Sequence, residues 1–240
     1  AKSILASNQS PDISFDLSIN PYRGCEHGCI YCFARPTHSW LDLSPGLDFE
    51  TRLTAKPDAP AVLERELSRK GYRPDVLAIG TNTDPYQPIE ARYRIMPSGL
   101  PRLPNWTLPV AILTIHALIE RDPDTLTDMA ARRLVSVGVS VTTLDPGLSR
   151  RLEPRAPVPS RRLAAIRALS GAGVPVRVMV APVIPVLTDH ELEAILEAAA
   201  GAGACAASWI LLRLPHEVAP LFRDWLARNE PGKAAHVMSR

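Results

Sequence analysis

Long apolar runs are missing from this 240-residue sequence, and it contains only four cysteines. No apolar run approaches the roughly 18 residues that a membrane-spanning helix requires. The first twelve residues, AKSILASNQSPD, also lack the apolar core of a signal peptide. These absences argue against a membrane protein and against a secreted one, so we expect a cytoplasmic location. Because thiols stay reduced there, the cysteines favour a metal site or catalysis over disulfides.

A large excess of charge is absent too, because the net charge is only +2 at pH 7. This balance gives no general reason to expect a membrane surface or a nucleic acid as partner. One local exception, LSRRLEPRAPVPSRRLAAIR, is rich in arginine and could follow a phosphate backbone. Acidic residues lie close to this strip, and its second half starts an amphipathic helix whose polar face would be solvated in any case. A nucleic-acid substrate is therefore kept as an alternative. The arginines concerned are Arg150, Arg151, Arg155, Arg161, Arg162 and Arg167.

A linker that would divide the chain is also missing. The length suits one domain with a substantial core, and no stretch rich in proline, glycine or serine is long enough to mark a boundary. We therefore expect residues 1–240 to form a single domain. Because the sequence begins with Ala1 rather than methionine, we also expect it to be a portion of a longer chain.

The sequence does contain a regular alternation of short apolar runs and amphipathic stretches. The apolar runs predict six strands, at 13–20, 75–80, 108–114, 135–143, 174–185 and 207–215. The amphipathic stretches predict helices, at 59–72, 122–134, 160–173, 188–203 and 216–229. This alternation predicts an α/β fold with a parallel sheet. Six units fit a partial (β/α)6 barrel or an open doubly wound sheet, and in both the chemistry belongs at the carboxyl ends of the strands.

The second of these units lacks an ordinary helix. Its segment 94–106, RIMPSGLPRLPNW, contains three prolines and a glycine, with the prolines at 97, 101 and 104. Because a proline inside a helix costs about 3 kcal/mol, we expect a loop or a short, broken helix there.

Three of the four cysteines stand within eight positions, as Cys25-x3-Cys29-x2-Cys32. A structural zinc site has four ligands, and His27 or His38 could complete one with the three thiolates. Soft thiolates also suit iron–sulfur clusters, and a cluster of four irons takes four ligands. Three thiolates would leave one iron open to a small molecule, and the spacing favours this interpretation over zinc.

The same motif, with Tyr31 before its last cysteine, resembles the signature of the radical S-adenosylmethionine (radical SAM) enzymes. The resemblance continues through NPYRGCEHGCIYCFARPTH, GTNTDPYQPIE, VSVTTLDPGLSRRLEPRAP and VPVRVMVAPVIPVLTDHE, and so covers nearly the whole chain. These segments are similar to the branch that contains spore photoproduct lyase and the DNA repair photolyase-like proteins. The resemblance implies a partial (β/α)6 barrel of the TIM-like, radical SAM type, with a [4Fe–4S] cluster bound by Cys25, Cys29 and Cys32 at its mouth.

The resemblance further implies that S-adenosylmethionine binds the fourth iron. An electron from the cluster, delivered by a donor such as flavodoxin or ferredoxin, would cleave it to a 5′-deoxyadenosyl radical. That radical would abstract hydrogen from an unknown substrate. The implied cofactor contacts are Tyr31, Gly80, Thr81, Asn82, Thr83, Asp84, Ser140, Thr142, Thr143, Arg155, Pro182, Val183 and Ile184.

Each group of contacts has a proposed partner and an alternative. Tyr31 would lie near the adenine, and segment 80–84 would receive the methionine amino group, although it also fits an Asp-Pro turn. Ser140 and Thr142 would face the ribose or the carboxylate. Arg155 would pair with the carboxylate or remain a solvated surface arginine. Val183 would flank the adenine or belong to an apolar turn that closes the barrel.

Two features depart from the family pattern. Many relatives carry a lysine after the third strand, whereas this chain has Ile115 followed by His116, so a cationic contact would come from His116 or Arg155. This change and the broken segment 94–106 make an inactive, cluster-bearing member of the family an alternative.

The second departure is that the photoproduct lyases use a further cysteine downstream of the cluster as hydrogen donor. This chain has none between Cys32 and Cys205. We therefore assign no thymine-dimer repair and expect Cys205 to be an ordinary buried thiol. A non-catalytic protein with zinc or a structural cluster is the runner-up.

Overall fold

The computed structural model describes residues 2–7, 15–69 and 76–239, without the side chains of 104–106. At its centre is a seven-stranded sheet in the order β1-β2-β5-β6-β7-β8-β9. Strand β1 runs antiparallel to β2, and each later neighbour pairs in parallel. A separate antiparallel pair joins β3 to β4. The strands are β1 (Leu5–Ser7), β2 (Leu17–Ile19), β3 (Tyr22–Arg23), β4 (Thr54–Ala55), β5 (Leu77–Ile79), β6 (Val110–Thr114), β7 (Val135–Ser140), β8 (Val176–Val183) and β9 (Ala206–Leu211).

The helices fill the connections between the strands and follow the last of them. They are α1 (Leu47–Thr51), α2 (Ala59–Leu67), α3 (Glu90–Tyr93), α4 (Ile95–Gly99), α5 (Pro123–Ala131), α6 (Pro146–Leu152), α7 (Pro159–Gly171), α8 (Leu192–Gly201), α9 (Val218–Asn229) and α10 (Ala234–Met238). Short 3-10 helices span Arg35–Leu41, Leu100–Trp106, Ala117–Arg121 and Asp189–Glu191. Within the described ranges, no helix is long and apolar enough to cross a bilayer.

The order of the parallel strands identifies the architecture. Strands β2, β5, β6, β7, β8 and β9 follow one another in sequence and in space. Right-handed crossovers between such neighbours place every connecting helix on the same face of the sheet. A doubly wound sheet requires a reversal of strand order, and this order has none. The predicted α/β fold with a partial (β/α)6 barrel is therefore confirmed, and the doubly wound alternative was wrong.

The core lies between the outer face of the sheet and the helices. In β8, Val176, Val178 and Val180 are buried, while Arg177 and Met179 between them are more exposed on the inner face. This alternation follows from the two-residue period of a strand. The six predicted strands and five predicted helices are all found, with shorter bounds. Residues 13–14, 70–72 and 75 of those predictions lie outside the described residues.

The proline-rich segment forms the expected broken helix, α4 followed by a 3-10 helix. Its apolar side chains Ile95, Met96, Leu100 and Leu103 are buried in the main core. The segment therefore covers the second unit of the barrel although its prolines interrupt regular helical hydrogen bonding. The sequence pattern did not predict β1, the β3–β4 pair, α1, α6 or α10.

Candidate functional site: the cysteine loop at the barrel mouth

The three clustered cysteines lie on a loop that follows β2 at the carboxyl edge of the parallel sheet, and residues 24–34 are called the cysteine loop here. Gly24 and Gly28 adopt positive φ angles of 78° and 70°, which glycine reaches without strain. A Cβ on Gly24 would stand 2.8 Å from the carbonyl oxygen of Phe49. That carbonyl accepts a hydrogen bond from the Cys25 amide at 2.9 Å. The glycines thus allow the loop to fold tightly against the segment around α1.

All three cysteines of the loop are free thiols, Cys25 buried and Cys29 and Cys32 partly buried. Burial raises the pKa of each thiol. For Cys25 the charges of Asp84 and Cys32 raise the pKa further, and for Cys29 those of Glu153 and the other two cysteines do so. The three sulfur donors would repel one another electrostatically as thiolates, and no disulfide joins them. This arrangement fits a cationic metal centre. Such a centre would bind the thiolates and release their protons.

The geometry around the loop does not favour a single zinc ion. Sulfur ligands of one tetrahedral zinc lie about 3.8 Å apart, given a Zn–S bond of ~2.3 Å. Among the residues that the structure describes, no three Cys, His, Asp or Glu side chains are grouped to hold one ion. His27 Nδ1 lies 3.5 Å from Cys25 Sγ, but His38 donates from Nε2 to the Arg52 carbonyl at 3.1 Å. In a cubane cluster each cysteine binds a different iron, so the three cysteine sulfurs do not need to reach a single metal ion.

One buried arginine, Arg35, forms hydrogen bonds with the backbone of the cysteine loop. Arg35 is 1% exposed. Its guanidinium donates to the carbonyl oxygens of Gly28, Cys29, Pro45 and Gly46, each at 3.0 Å, and to Glu50 at 2.6 Å. The planar guanidinium therefore links the cysteine loop to the residues before α1 and to Glu50 within it. Two carbonyls of the loop are thereby turned towards Arg35.

A second buried network anchors the same loop to the fourth strand unit. The Tyr31 hydroxyl donates to Glu153, and it lies 3.2 Å from the Thr142 hydroxyl. Glu153 also pairs with Arg162, and both side chains are 0% exposed. Burial acts to raise the pKa of Glu153, but the charge of Arg162 and the hydrogen bonds from Arg162, Tyr31 and Thr142 together hold that pKa below its usual value. The amide of Ile30 donates to the Leu152 carbonyl at 3.0 Å, so α6 is tied to the loop as well.

The loop after β5 contacts the cysteine loop from a third side. Thr83 donates from its hydroxyl to the Gly24 carbonyl at 2.6 Å, and the Gln87 amide donates to the same oxygen at 3.2 Å. Gln87 also accepts from the Glu26 amide at 2.9 Å. Asn20 accepts from the Asn82 amide at 2.8 Å. The loop after β5 therefore acts as a support for the cysteines.

Asp84 joins the loops after β5 and β6. It accepts hydrogen bonds from the Ile115 amide and the Thr114 hydroxyl, each at 2.7 Å. Its carboxylate lies 3.6 Å from His27 Nδ1. His27 stacks on His116 with ring centroids 5.3 Å apart. Burial lowers the pKa of His27 to about 3, so this imidazole is neutral at pH 7, and its Nε2 has no hydrogen-bond partner among the described residues.

The comparisons with known proteins agree with this arrangement. The sequence model of the radical SAM superfamily matches residues 19–199. The chain belongs to the radical SAM superfamily. An uncharacterised protein of Mycobacterium tuberculosis is 43% identical over 231 residues, which cover 94% of this chain and 68% of that protein. An uncharacterised protein of Methanocaldococcus jannaschii is 26% identical over 174 residues, covering 72% of this chain and 62% of that one.

Solved structures of radical SAM proteins share the fold. Spore photoproduct lyase complexed with a dinucleoside spore photoproduct matches with a TM-score of 0.66 at 15% identity, covering 94% of this chain. SuiB of Streptococcus suis, bound to S-adenosylmethionine, matches with a TM-score of 0.56 at 14% identity, covering 89% of this chain and 48% of that chain. The present chain spans 64% of the length of the lyase.

The radical SAM resemblance assigned cofactor contacts that lie at one edge of the sheet. Segment 80–84 follows β5, Ser140 ends β7, Thr142 lies just beyond it, and Val183 ends β8. Ser140 is half-buried and Asn82 is exposed, whereas Thr83, Thr142 and Val183 are buried. The carboxyl ends of the strands therefore bring the predicted residues together. The structure shows that Thr83, Asp84, Thr142 and Tyr31 already hold partners within the chain.

Arg155 lies against the cysteine loop, where it pairs with Glu50 and donates to the Glu26 carbonyl. Its side chain is 48% exposed. Arg155 is therefore a surface arginine that is paired within the chain, and its expected contact with a cofactor carboxylate stays a prediction. A Cβ on Gly28 would overlap the Arg155 guanidinium, so the glycine makes room for this contact.

The arginine strip is largely neutralised within the chain. Arg151 pairs with Glu230 at 2.6 Å and Arg161 with Glu120 at 2.5 Å, while Arg155 and Arg162 have the partners described above. The expectation that Arg162 lies on a solvated helix face was wrong, because it is 1% exposed. Arg150 and Arg167 are exposed and have no ion pair among the described residues, so two of the six arginines could still contact a phosphate backbone.

Cys205 is exposed, so the expectation of a buried thiol was also wrong. It precedes β9, and its sulfur donates to the Val176 carbonyl at 3.3 Å. The outer strand β9 is itself largely exposed, which explains why a residue next to it is not covered.

Proposed function

We propose that this chain is a radical SAM enzyme that binds a [4Fe–4S] cluster through Cys25, Cys29 and Cys32 and S-adenosylmethionine beside it. The observation that carries the proposal is the cysteine loop, with three mutually interacting free thiols, one buried and two partly buried, at the carboxyl edge of the barrel. When bound, these groups supply one-electron cleavage of S-adenosylmethionine and a 5′-deoxyadenosyl radical that abstracts hydrogen from a substrate.

The residues of the chain bind and orient these groups. The three thiolates hold the cluster, and Gly24 and Gly28 allow the loop to close around it. Asn82, Ser140 and the backbone of segment 80–83 are proposed to contact S-adenosylmethionine directly. Thr83, Asp84 and Thr142 are proposed to act through the loops that they hold, because their polar groups are occupied within the chain. Tyr31 and Val183 provide apolar surface for the adenine.

The partners belong to this proposal as well. The electron donor is proposed to be a small redox protein such as flavodoxin or ferredoxin, and the cytoplasmic location stays a prediction. The lyase structure supports no substrate for this chain at 15% identity. The arginine strip does not favour a nucleic acid, because four of its six arginines are paired within the chain. The substrate is therefore left as a molecule with an abstractable hydrogen.

The test is anaerobic reconstitution with iron and sulfide, followed by dithionite and S-adenosylmethionine. We expect about four irons per chain and the release of 5′-deoxyadenosine. Cys32→Ala should lose both, whereas Cys205→Ala is the matched control and should keep both. A chain that takes up zinc in place of iron, or a Cys32→Ala variant that keeps its cluster, would overturn the proposal.

The inactive-member alternative has its own variant. Ile115 is 8% exposed and its amide is bound to Asp84. Ile115→Lys would place a cation at the position where relatives carry lysine, and we expect it to raise 5′-deoxyadenosine formation. Cluster content measured on the same samples serves as control. An unchanged rate would remove Ile115 as the cause of any low activity.

A further inference from the structure

Arg35 is a buried charge that the proposed chemistry does not use. A fully buried cation is costly unless it is paired and hydrogen-bonded, and Arg35 meets this need with four carbonyls and one carboxylate. Its guanidinium also lies 5.4 Å from the ring centroid of Phe49. Two of the carbonyls it bonds, those of Gly28 and Cys29, belong to the cysteine loop. A fixed positive charge thus stands directly beside the cysteine loop.

Glu50 is shared between this buried arginine and an exposed one. One carboxylate oxygen accepts from Arg35 at 2.6 Å and the other pairs with Arg155. Arg155 passes so close to Gly28 that a Cβ there would overlap its guanidinium, and Arg35 donates to the Gly28 carbonyl, so both guanidinium groups contact the loop at this glycine. Both are bonded to carbonyl oxygens of the loop, Arg35 to those of Gly28 and Cys29 and Arg155 to that of Glu26.

The sign of these charges matters for a cluster. Three thiolates outweigh the positive charge of an oxidised four-iron core, and reduction adds one more negative charge. A nearby cation therefore stabilises the reduced form more than the oxidised form, and a nearby anion does the opposite. Net charge and hydrogen bonding around the sulfurs are among the factors that set cluster potentials. Because Arg35 is buried, salt screens its effect much less than that of a surface charge.

We infer that Arg35 and Glu50 are positioning residues that form an opposed charge pair beneath the cysteine loop and set the reduction potential of the cluster. The inference rests on the proposed function, because it needs the cluster to be bound. Arg35 would have two separable roles. The hydrogen bonds of its guanidinium hold the loop carbonyls in place, and its positive charge raises the reduction potential. Glu50 holds Arg35 in place and lowers the potential.

A redox titration monitored by EPR measures the reduction potential of the cluster and separates these two roles. Arg35→Gln should shift the potential of the reconstituted cluster to more negative values, and Glu50→Gln should shift it to more positive values. Arg35→Lys keeps the positive charge but loses the planar set of guanidinium donors. The cluster potential of this variant should therefore stay near the wild-type value, while a chelator should remove iron from it about tenfold faster. Arg102→Gln, in the exposed pair with Glu64, is the control and should shift nothing.

The outcomes distinguish the inference from the proposed function. A wild-type chain that assembles no cluster would contradict the proposed function itself. If the wild-type chain assembles its cluster, two results would overturn the charge pair. One is a Glu50→Gln cluster with the wild-type potential, and the other is a shift of the potential in the same direction in Glu50→Gln and Arg35→Gln. If Arg35→Gln does not fold, the direction of the Glu50→Gln shift decides alone.

Discussion

The buried pair of Glu153 and Arg162 allows a prediction of stability that needs no cofactor. Both side chains are 0% exposed, and Glu153 also accepts hydrogen bonds from Tyr31 and from Ser149, the latter at 3.3 Å. Glu153→Gln would leave the Arg162 cation buried without a counter-charge. Breaking a buried pair in this way costs roughly 3–5 kcal/mol. For a domain of this size, we therefore expect the melting temperature to fall by roughly 6–20 °C.

A matched control comes from the exposed pair Arg161–Glu120, whose side chains are 46% and 25% exposed. Glu120→Gln should cost only about 0–1 kcal/mol, as measured by urea unfolding of the apoprotein alongside Glu153→Gln. The double variant Glu153→Gln/Arg162→Met should recover part of the loss, because it removes the unpaired cation. A Glu153→Gln loss no larger than that of Glu120→Gln would refute the description of the network.

The pH dependence has a definite sign. The pKa of Glu153 is lower in the folded chain than its ordinary value near 4.5. Its stabilisation is therefore complete above that ordinary value and is lost as pH falls through the lower, folded pKa. The difference in unfolding free energy between wild type and Glu153→Gln should be constant near neutral pH and shrink below about pH 4.5. A difference that grows on acidification would contradict the assignment of Glu153 as the ionised partner.

Further variants probe the loop supports. Gly28→Ala forces a positive φ and a contact with Arg155, so we expect a loss of about 1–2 kcal/mol and weaker cluster retention, whereas Gly171→Ala, with open space around it, should be neutral. Tyr31→Phe leaves the Glu153 acceptor short of a donor, so urea unfolding should show a loss of about 1–3 kcal/mol, and an unchanged free energy would argue against the bond. Asp84→Asn weakens the tie between two loops and should weaken S-adenosylmethionine binding about tenfold by calorimetry, with unaltered affinity as the contrary result.

Much of the fold was predictable because its signals are local. Each parallel strand is a short run of β-branched and apolar residues, such as VSVGVS in β7, and five of the six lead to an amphipathic stretch. The same logic failed for β1 and the β3–β4 pair, because these strands of two or three residues do not lie in longer runs such as 13–20 and 75–80, which indicated β2 and β5. Helix α6 had a usable signal, since Asp145 before Pro146 is an N-cap whose carboxylate accepts from the Gly147 amide at 2.7 Å.

The candidate site was predictable only where its residues are close in sequence. The three cysteines are recognised by their spacing, and the segments after the strands by their place in the alternation. Their supports are not local, since Tyr31 and Glu153 are separated by 122 positions and Arg35 and Glu50 by 15. An arginine in a sequence is expected to be solvated, so burial of Arg35 and Arg162 could be found only from the fold.

The most direct test of the central claim is Mössbauer spectroscopy of the chain reconstituted with 57Fe, recorded before and after S-adenosylmethionine is added. We predict a four-iron cluster in which one iron changes its signal on addition, because three cysteines leave one iron without a protein ligand. A spectrum that S-adenosylmethionine leaves unchanged, or a chain that assembles no cluster, would contradict the claim.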